Sequence, residues 1–184
     1  MKGLISFSLF IIIAIIIWWS ITVDFSGGHH LQQTNNKPYV DIFMHEFELT
    51  AMDENGAPSY ILHGSYLEQF HGSDDAEIKQ PVFHLLKKNA QWKITADNAI
   101  VNNKNQTIQL NNNVLMQQQN VEPAVSIRTQ TLLLHTKTQI AQTQALINFT
   151  KGLSQIKSNG MIFNNITSEL ELLSHVSGYY LPNE

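Results

Sequence analysis

"WKITADNAIVNNKNQTIQLNNNVLMQQQN", residues 92–120, sets Trp92, Ile94, Ala96, Ile100, Ile108, Leu110, Val114 and Met116 on one parity. Successive side chains of a β-strand point to opposite faces of the sheet, so apolar residues at every second position mark a strand with one dry face. Residues 92–96 and 108–116 therefore read as strands. "NNKNQ" between them reads as a turn, because Asn tolerates left-handed backbone angles and hydrogen-bonds its own main chain.

The pattern returns about one unit later. Val125, Ile127, Thr129, Leu132 and Leu134 match Trp92, Ile94, Ala96, Ala99 and Val101, and Ile147 falls where Val114 fell. A fainter copy places Ile156, Met161, Phe163 and Val176 at the positions of Ile127, Leu132, Leu134 and Ile147. Upstream, "YILHGSYLEQF" before "IKQPVFHLLKKN" reads as an earlier copy with a degraded second half. Spacing of this kind signals stacked supersecondary units, none of which can bury its apolar face alone.

Residues 1–23 read as a membrane anchor. The stretch 4–23, "LISFSLFIIIAIIIWWSITV", carries no charge, and at about 1.5 Å per residue it is long enough to cross a hydrocarbon core of about 30 Å. Lys2 precedes it and Asp24 follows, which puts the N-terminus in the cytoplasm, and Trp18 and Trp19 fall at an interfacial aromatic belt. "WWSITVDFSGGHH" offers no small-residue cleavage pattern, so the segment reads as uncleaved. Residues 24–38 are polar and rich in Gly, Asn and Gln, a flexible linker. Residues 39–184 form one domain on the far side of the membrane.

That domain reads as nearly all β. Phe43, Phe47, Leu49 and Ala51 share a parity, Asn55-Gly56 signals a tight turn, and Tyr60, Leu62, Tyr66 and Phe70 share a face. Ile78, Val82 and Leu86 are in phase, with Pro81 implying an edge strand or a bulge. "ITSELELLSHV" at 166–176 fits either a short amphipathic helix or a strand, the strand keeping phase with the repeats.

Composition narrows the chemistry. The chain has no cysteine, which removes disulfides and thiolate sites. A net charge of −4 with scattered lysines speaks against nucleic acid. The eight histidines stand singly or, as His29-His30, in the linker, without metal-ligand spacing. Asp74, Asp75 and Glu77 read as a solvated turn rather than a calcium loop. No nucleophile elbow, phosphate loop or dinucleotide fingerprint occurs, so neither an enzyme nor a cofactor is expected. What remains is the dry face, which alternation alone assigns equally to a filled sandwich core or to a trough for a lipid chain.

In order and spacing, "ENGAPSYILHGSYLEQF", "IKQPVFHLL", "WKITADNAIV", "IQLNNNV" and "IRTQTLLL", behind an N-terminal anchor and a polar tether, resemble the LptC family of lipopolysaccharide export proteins. The most specific pieces are "GAPSY" with "QPVF" and the W-x-I-x-A-x-x-A strand. One departure is Asn112-Asn113 before Val114, where the family has Gly. The resemblance implies a twisted, open, boat-shaped β-jellyroll shared with LptA and a domain of LptD. It implies a single-pass inner-membrane protein with a periplasmic domain that receives lipopolysaccharide beside the LptB, LptF and LptG transporter and passes it to LptA, with no catalysis of its own. On that reading the lipid groove is lined by Phe47, Leu49, Tyr60, Leu62, Ile78, Val82, Trp92, Ile94, Ile108, Leu110, Val114, Ile127, Leu132, Leu134, Ile147, Phe163, Leu172 and Val176. The strand at 39–51 would meet LptF, and the strands at about 161–180 would meet LptA, with Gly152 and Gly160 either shaping the chain that enters that edge or serving as ordinary turn glycines. Self-association of the isolated domain through its edges stays open, as does the alternative of a membrane-tethered β-sandwich scaffold without a lipid ligand.

Overall fold

The computed structural model describes residues 39–53, 55–86 and 91–181. The apolar run at 4–23 and the linker at 24–38 lie outside them. Among the described residues no helix is long and apolar enough to cross a membrane.

Eleven strands form one antiparallel sheet: β1 Val40–Met52, β2 Pro58–Phe70, β3 Asp75–Lys79, β4 Val82–Leu85, β5 Trp92–Thr95, β6 Asn98–Asn102, β7 Thr107–Gln118, β8 Val125–His135, β9 Ile140–Lys151, β10 Ser154–Asn164 and β11 Glu169–Tyr179. The all-β expectation is met, and the segment that fits helix or strand is strand from Glu169 onward. The chain runs as a meander. β3 and β4 lie end to end along β2, and β5 and β6 lie end to end along β7. Across these breaks the Gln80 N–H donates to Asp97 O at 2.8 Å and the Ala96 N–H to Pro81 O at 3.4 Å, so the ladder continues through them.

A crease crosses the sheet at the same level in successive strands. Positive φ marks it at Glu46 (43°), Gln80 (51°), Asn112 (62°), Asn113 (50°), Gly160 (80°) and His175 (50°). Register shifts fall on this line in the β7–β8, β8–β9, β9–β10 and β10–β11 ladders. Bulges of this kind bend a strand and re-aim its side chains, and Asn and Gly are the residues that take left-handed angles at least cost.

Folded at the crease, the sheet lays one half on the other. Trp92 of β5 meets Phe163 of β10 edge-on at 5.0 Å between ring centroids, although these strands are not neighbours in the sheet. At one end the Gln139 side-chain amide donates to Ser59 Oγ at 3.1 Å. The core between the halves is one cluster, in which Phe83, Ile94, Leu110, Met116, Leu132 and Ile147 have no exposed surface. Burying a side chain of this size stabilises the fold by roughly 1.5–3 kcal/mol relative to exposure.

The repeat has a structural meaning. Trp92, Ile94, Ala96 and Ala99 are buried along β5–β6, and Val125, Ile127, Thr129, Leu132 and Leu134 are buried along β8, each set crossing the crease at the same level. The later copy thins out at the end of the sheet, where Val176 is 54% exposed.

Candidate lipid path and sheet edges

The groove residues expected from Leu62 through Phe163 lie in the buried cluster between the two halves, Val82 apart. Tyr60 is half-buried and packs against the cluster, its ring 6.2 Å from Phe83. Burial raises the pKa of its hydroxyl above the usual tyrosine value.

Val82 sits on the other face. The backbone at Gln80 turns to positive φ before Pro81, so parity flips between β3 and β4: Ile78 is inward in β3, whereas Phe83 and Leu85 are inward in β4. Val82 is left half-buried on the outer face beside His63, its partner in register. Phe83, fully buried, is the inward residue that phase counting misses, and the signal for it is Pro81, whose missing N–H marks a break in the ladder. β1 shows the same effect at Glu46: Met44 and Phe47 pack on the core, while Phe43 is 64% exposed.

Toward the ends of the sheet the apolar face comes into the open. Phe47 is half-buried and Leu49 is 42% exposed on β1, and Leu172 is half-buried and Val176 exposed on β11. Between the halves, at the end lined by Tyr60, Phe83, Leu85, Ile108 and Leu134, the remaining void is about 20 Å³. That is room for one water.

Among the described residues both terminal strands are free on one side: β1 pairs only with β2, and β11 only with β10. Each free edge carries exposed apolar residues: Tyr39, Phe43 and Met52 at one, and Tyr179, Tyr180 and Leu181 beside the other. Unpaired N–H and C=O groups flanked by apolar side chains are a template for a further strand. The start of β1 is pinned, since the His71 ring nitrogen and Asp41 Oδ2 lie 2.8 Å apart and the His71 ring stacks on Tyr39 at 4.6 Å. Gly152 sits in the β9–β10 turn and Gly160 on the crease in β10, behind β11 rather than on its free edge. A Cβ at Gly160 would come within 2.8 Å of Leu173 Cδ1. At Gly178 it would strike Gln155 O, so this glycine lets β11 close on β10.

On the outer face of β1, β2, β4 and β5, Glu48 Oε2 lies 3.5 Å from His63 Nδ1, and the His63 and His84 rings are 5.7 Å apart. His84 is held below the usual histidine pKa by burial first, then by His63 and Lys93. Among the described residues no group of three or more His, Cys, Asp or Glu side chains is placed to hold a metal ion. Asp75 accepts from the Asn102 amide at 2.5 Å and Asp74 lies 3.8 Å from Lys104.

A creased antiparallel sheet with one apolar face running from edge to edge, both edges unpaired, defines a β module suited to an apolar ligand or to strand-by-strand docking. The family described as "Lipopolysaccharide-assembly, LptC-related" matches residues 9–181, nearly the whole chain. The protein belongs to that family, a component of lipopolysaccharide transport in the cell envelope. Among curated proteins, comparison finds no match.

Proposed function

We propose that the protein is a non-enzymatic relay in which lipopolysaccharide enters at the β1 end, its acyl chains lie against the apolar face between the two halves of the sheet, and it leaves at the β11 end. The observation that carries this reading is the continuity of that face: apolar residues line it from Phe47 and Leu49 on β1, through Ile78, Ile94 and Leu132, to Leu172 and Val176 on β11. Burial of apolar surface is worth about 25 cal/mol per Å², so an acyl chain can replace the contacts the two halves make with each other. Head groups stay in water. The run at 4–23 anchors the chain in the inner membrane with its N-terminus in the cytoplasm, the domain at 39–184 is periplasmic, β1 docks beside the LptB, LptF and LptG transporter, and β11 pairs with LptA.

A second reading has its own support. The inward residues are so closely packed that the void among them at the Tyr60 end is about 20 Å³, which suits a docking scaffold with a filled core and no lipid. Phe47 distinguishes the two, because it is half-buried over Ile78 and is the first inward side chain a lipid would displace. A photo-crosslinking residue at position 47 is expected to capture lipopolysaccharide in cells under the relay reading. A folded, LptA-binding protein with no adduct there would favour the scaffold.

A further inference from the structure

We infer that the outer face of the crease between β8 and β9 is a binding cleft for a phosphate group, built around Arg128, Asn148 and Lys157. It lies on the face opposite the proposed acyl path and stands independently of that reading. The first observation is an opening in the sheet. The β8–β9 ladder runs to the pair Arg128–Asn148 and resumes at Leu133–Gln142, so the segments 129–132 and 143–147 face each other without pairing. No other ladder among the described residues has so long a gap. The opening forms a cleft of about 470 Å³.

The second observation is its chemistry. Arg128, Asn148 and Lys157 are consecutive partners in one row across β8, β9 and β10. With neighbouring strands about 4.8 Å apart, the two cations rise about 10 Å from each other with Asn148 between them, within reach of one shared anion. Asn148 lines the cleft, and its Oδ1 accepts from the Gln155 amide at 2.8 Å, which leaves its N–H donors for a ligand. Arg128 is the chain's one arginine, and its guanidinium fork matches phosphate oxygens in pairs. Among the described residues neither cation has a carboxylate partner. Asp97, beside Asn113 at the edge of the cleft, accepts from the Asn113 amide at 2.8 Å. Between Asp97 and Glu169 the chain carries one acidic residue, Glu122, against Lys104, Arg128, Lys137, Lys151 and Lys157.

The third observation is the rim of the cleft. Leu146, 62% exposed at the rim, gives an apolar shoulder beside the cations, as a phosphate carried on an amphiphile would use.

The test uses the full chain in non-ionic detergent micelles, titrated by calorimetry with micelles containing phosphatidylglycerol or phosphatidylcholine, and separately with inorganic phosphate. Binding of phosphatidylglycerol at least tenfold tighter than phosphatidylcholine is expected, lost in R128Q/K157Q and kept in K104Q/K137Q, which removes the same charge elsewhere. All four side chains are exposed, so unchanged melting temperatures are expected. Inorganic phosphate binding with the same variant dependence would assign the cleft to the ion itself, and phosphatidylglycerol binding without it would assign the cleft to the lipid head group. Both uphold the site. Equal losses in the two double variants, an R128Q/K157Q protein that binds like the original chain, or an original chain that neither prefers phosphatidylglycerol nor binds phosphate would overturn it.

Discussion

Gly64 and Ile78 pack so closely that a β-carbon on Gly64 would stand 2.7 Å from Ile78 Cγ2, and 2.6 Å from Cε1 of Phe47 above it. Gly64 is thus the seat on which Phe47 covers Ile78, at the point where β1 closes the β1 end of the core. Overpacking a site of this kind costs about 1–3 kcal/mol. Gly64→Ala is therefore expected to lower the urea midpoint of the domain, and it should also lift Phe47 off Ile78 and increase amphiphile binding. An unchanged midpoint would show that Phe47 moves aside freely.

Contact between Trp92 and Phe163 joins strands from opposite halves of the creased sheet. Removing a buried aromatic side chain costs about 3–5 kcal/mol. Phe163→Ala is expected to destabilise by that amount in equilibrium unfolding, whereas Phe43→Ala, at a position 64% exposed, should change stability little.

Acid should weaken the fold through His84. Its pKa is lowered in the folded state by burial, His63 and Lys93, so the folded protein favours the neutral ring. The stabilisation is complete above the unfolded value of about 6.5 and is lost as pH falls through the lower folded value. Urea unfolding at pH 7.5 and at pH 5 is expected to show lower stability in acid, with a smaller difference in His84→Gln. An equal difference in that variant would assign the acid sensitivity to other groups.

At the far end, β11 offers an open edge with Val176 54% exposed. A charge on an exposed edge discourages strand addition. Val176→Lys is expected to leave the melting temperature within about 2 °C, since surface changes lie within about ±0.5 kcal/mol, and to reduce LptA capture severalfold in a pull-down. Full capture would move the docking surface away from this edge.

Much of this architecture is legible in the amino-acid sequence, for a physical reason. β7 inserts two residues at the crease, Asn112 and Asn113, so Ile108, Leu110, Val114 and Met116 keep one parity straight through it. Counting alternate residues therefore works along 92–96 and 108–116, but parity reverses between β5 and β6, where Ala99 is buried and Ile100, expected on the dry face, is 37% exposed. The β3–β4 break places Gln80 at positive φ before Pro81 and reverses parity, so the same counting puts Val82 inward where Phe83 stands. Exposure is harder to read than parity. Leu49 and Val176 carry the same apolar side chains as core residues, and only their place on terminal strands, with a neighbour on one side, leaves them open. Arg128 and Lys157 give no signal, because they lie 29 positions apart in the chain and share a row only once β9 runs between them.

The relay is tested most directly by photo-crosslinking in living cells with the reactive residue placed in turn at Phe47, Ile78 and Lys79. Ile78 is 1% exposed on the inner face, and Lys79, next in the strand, lies outside with its ammonium 5.3 Å from the Tyr66 ring centroid. The account predicts lipopolysaccharide adducts at 47 and 78 and none at 79. Adducts at none of the three in a protein that still binds LptA, or an adduct at 79 alone, would contradict it and make the inner face a closed core.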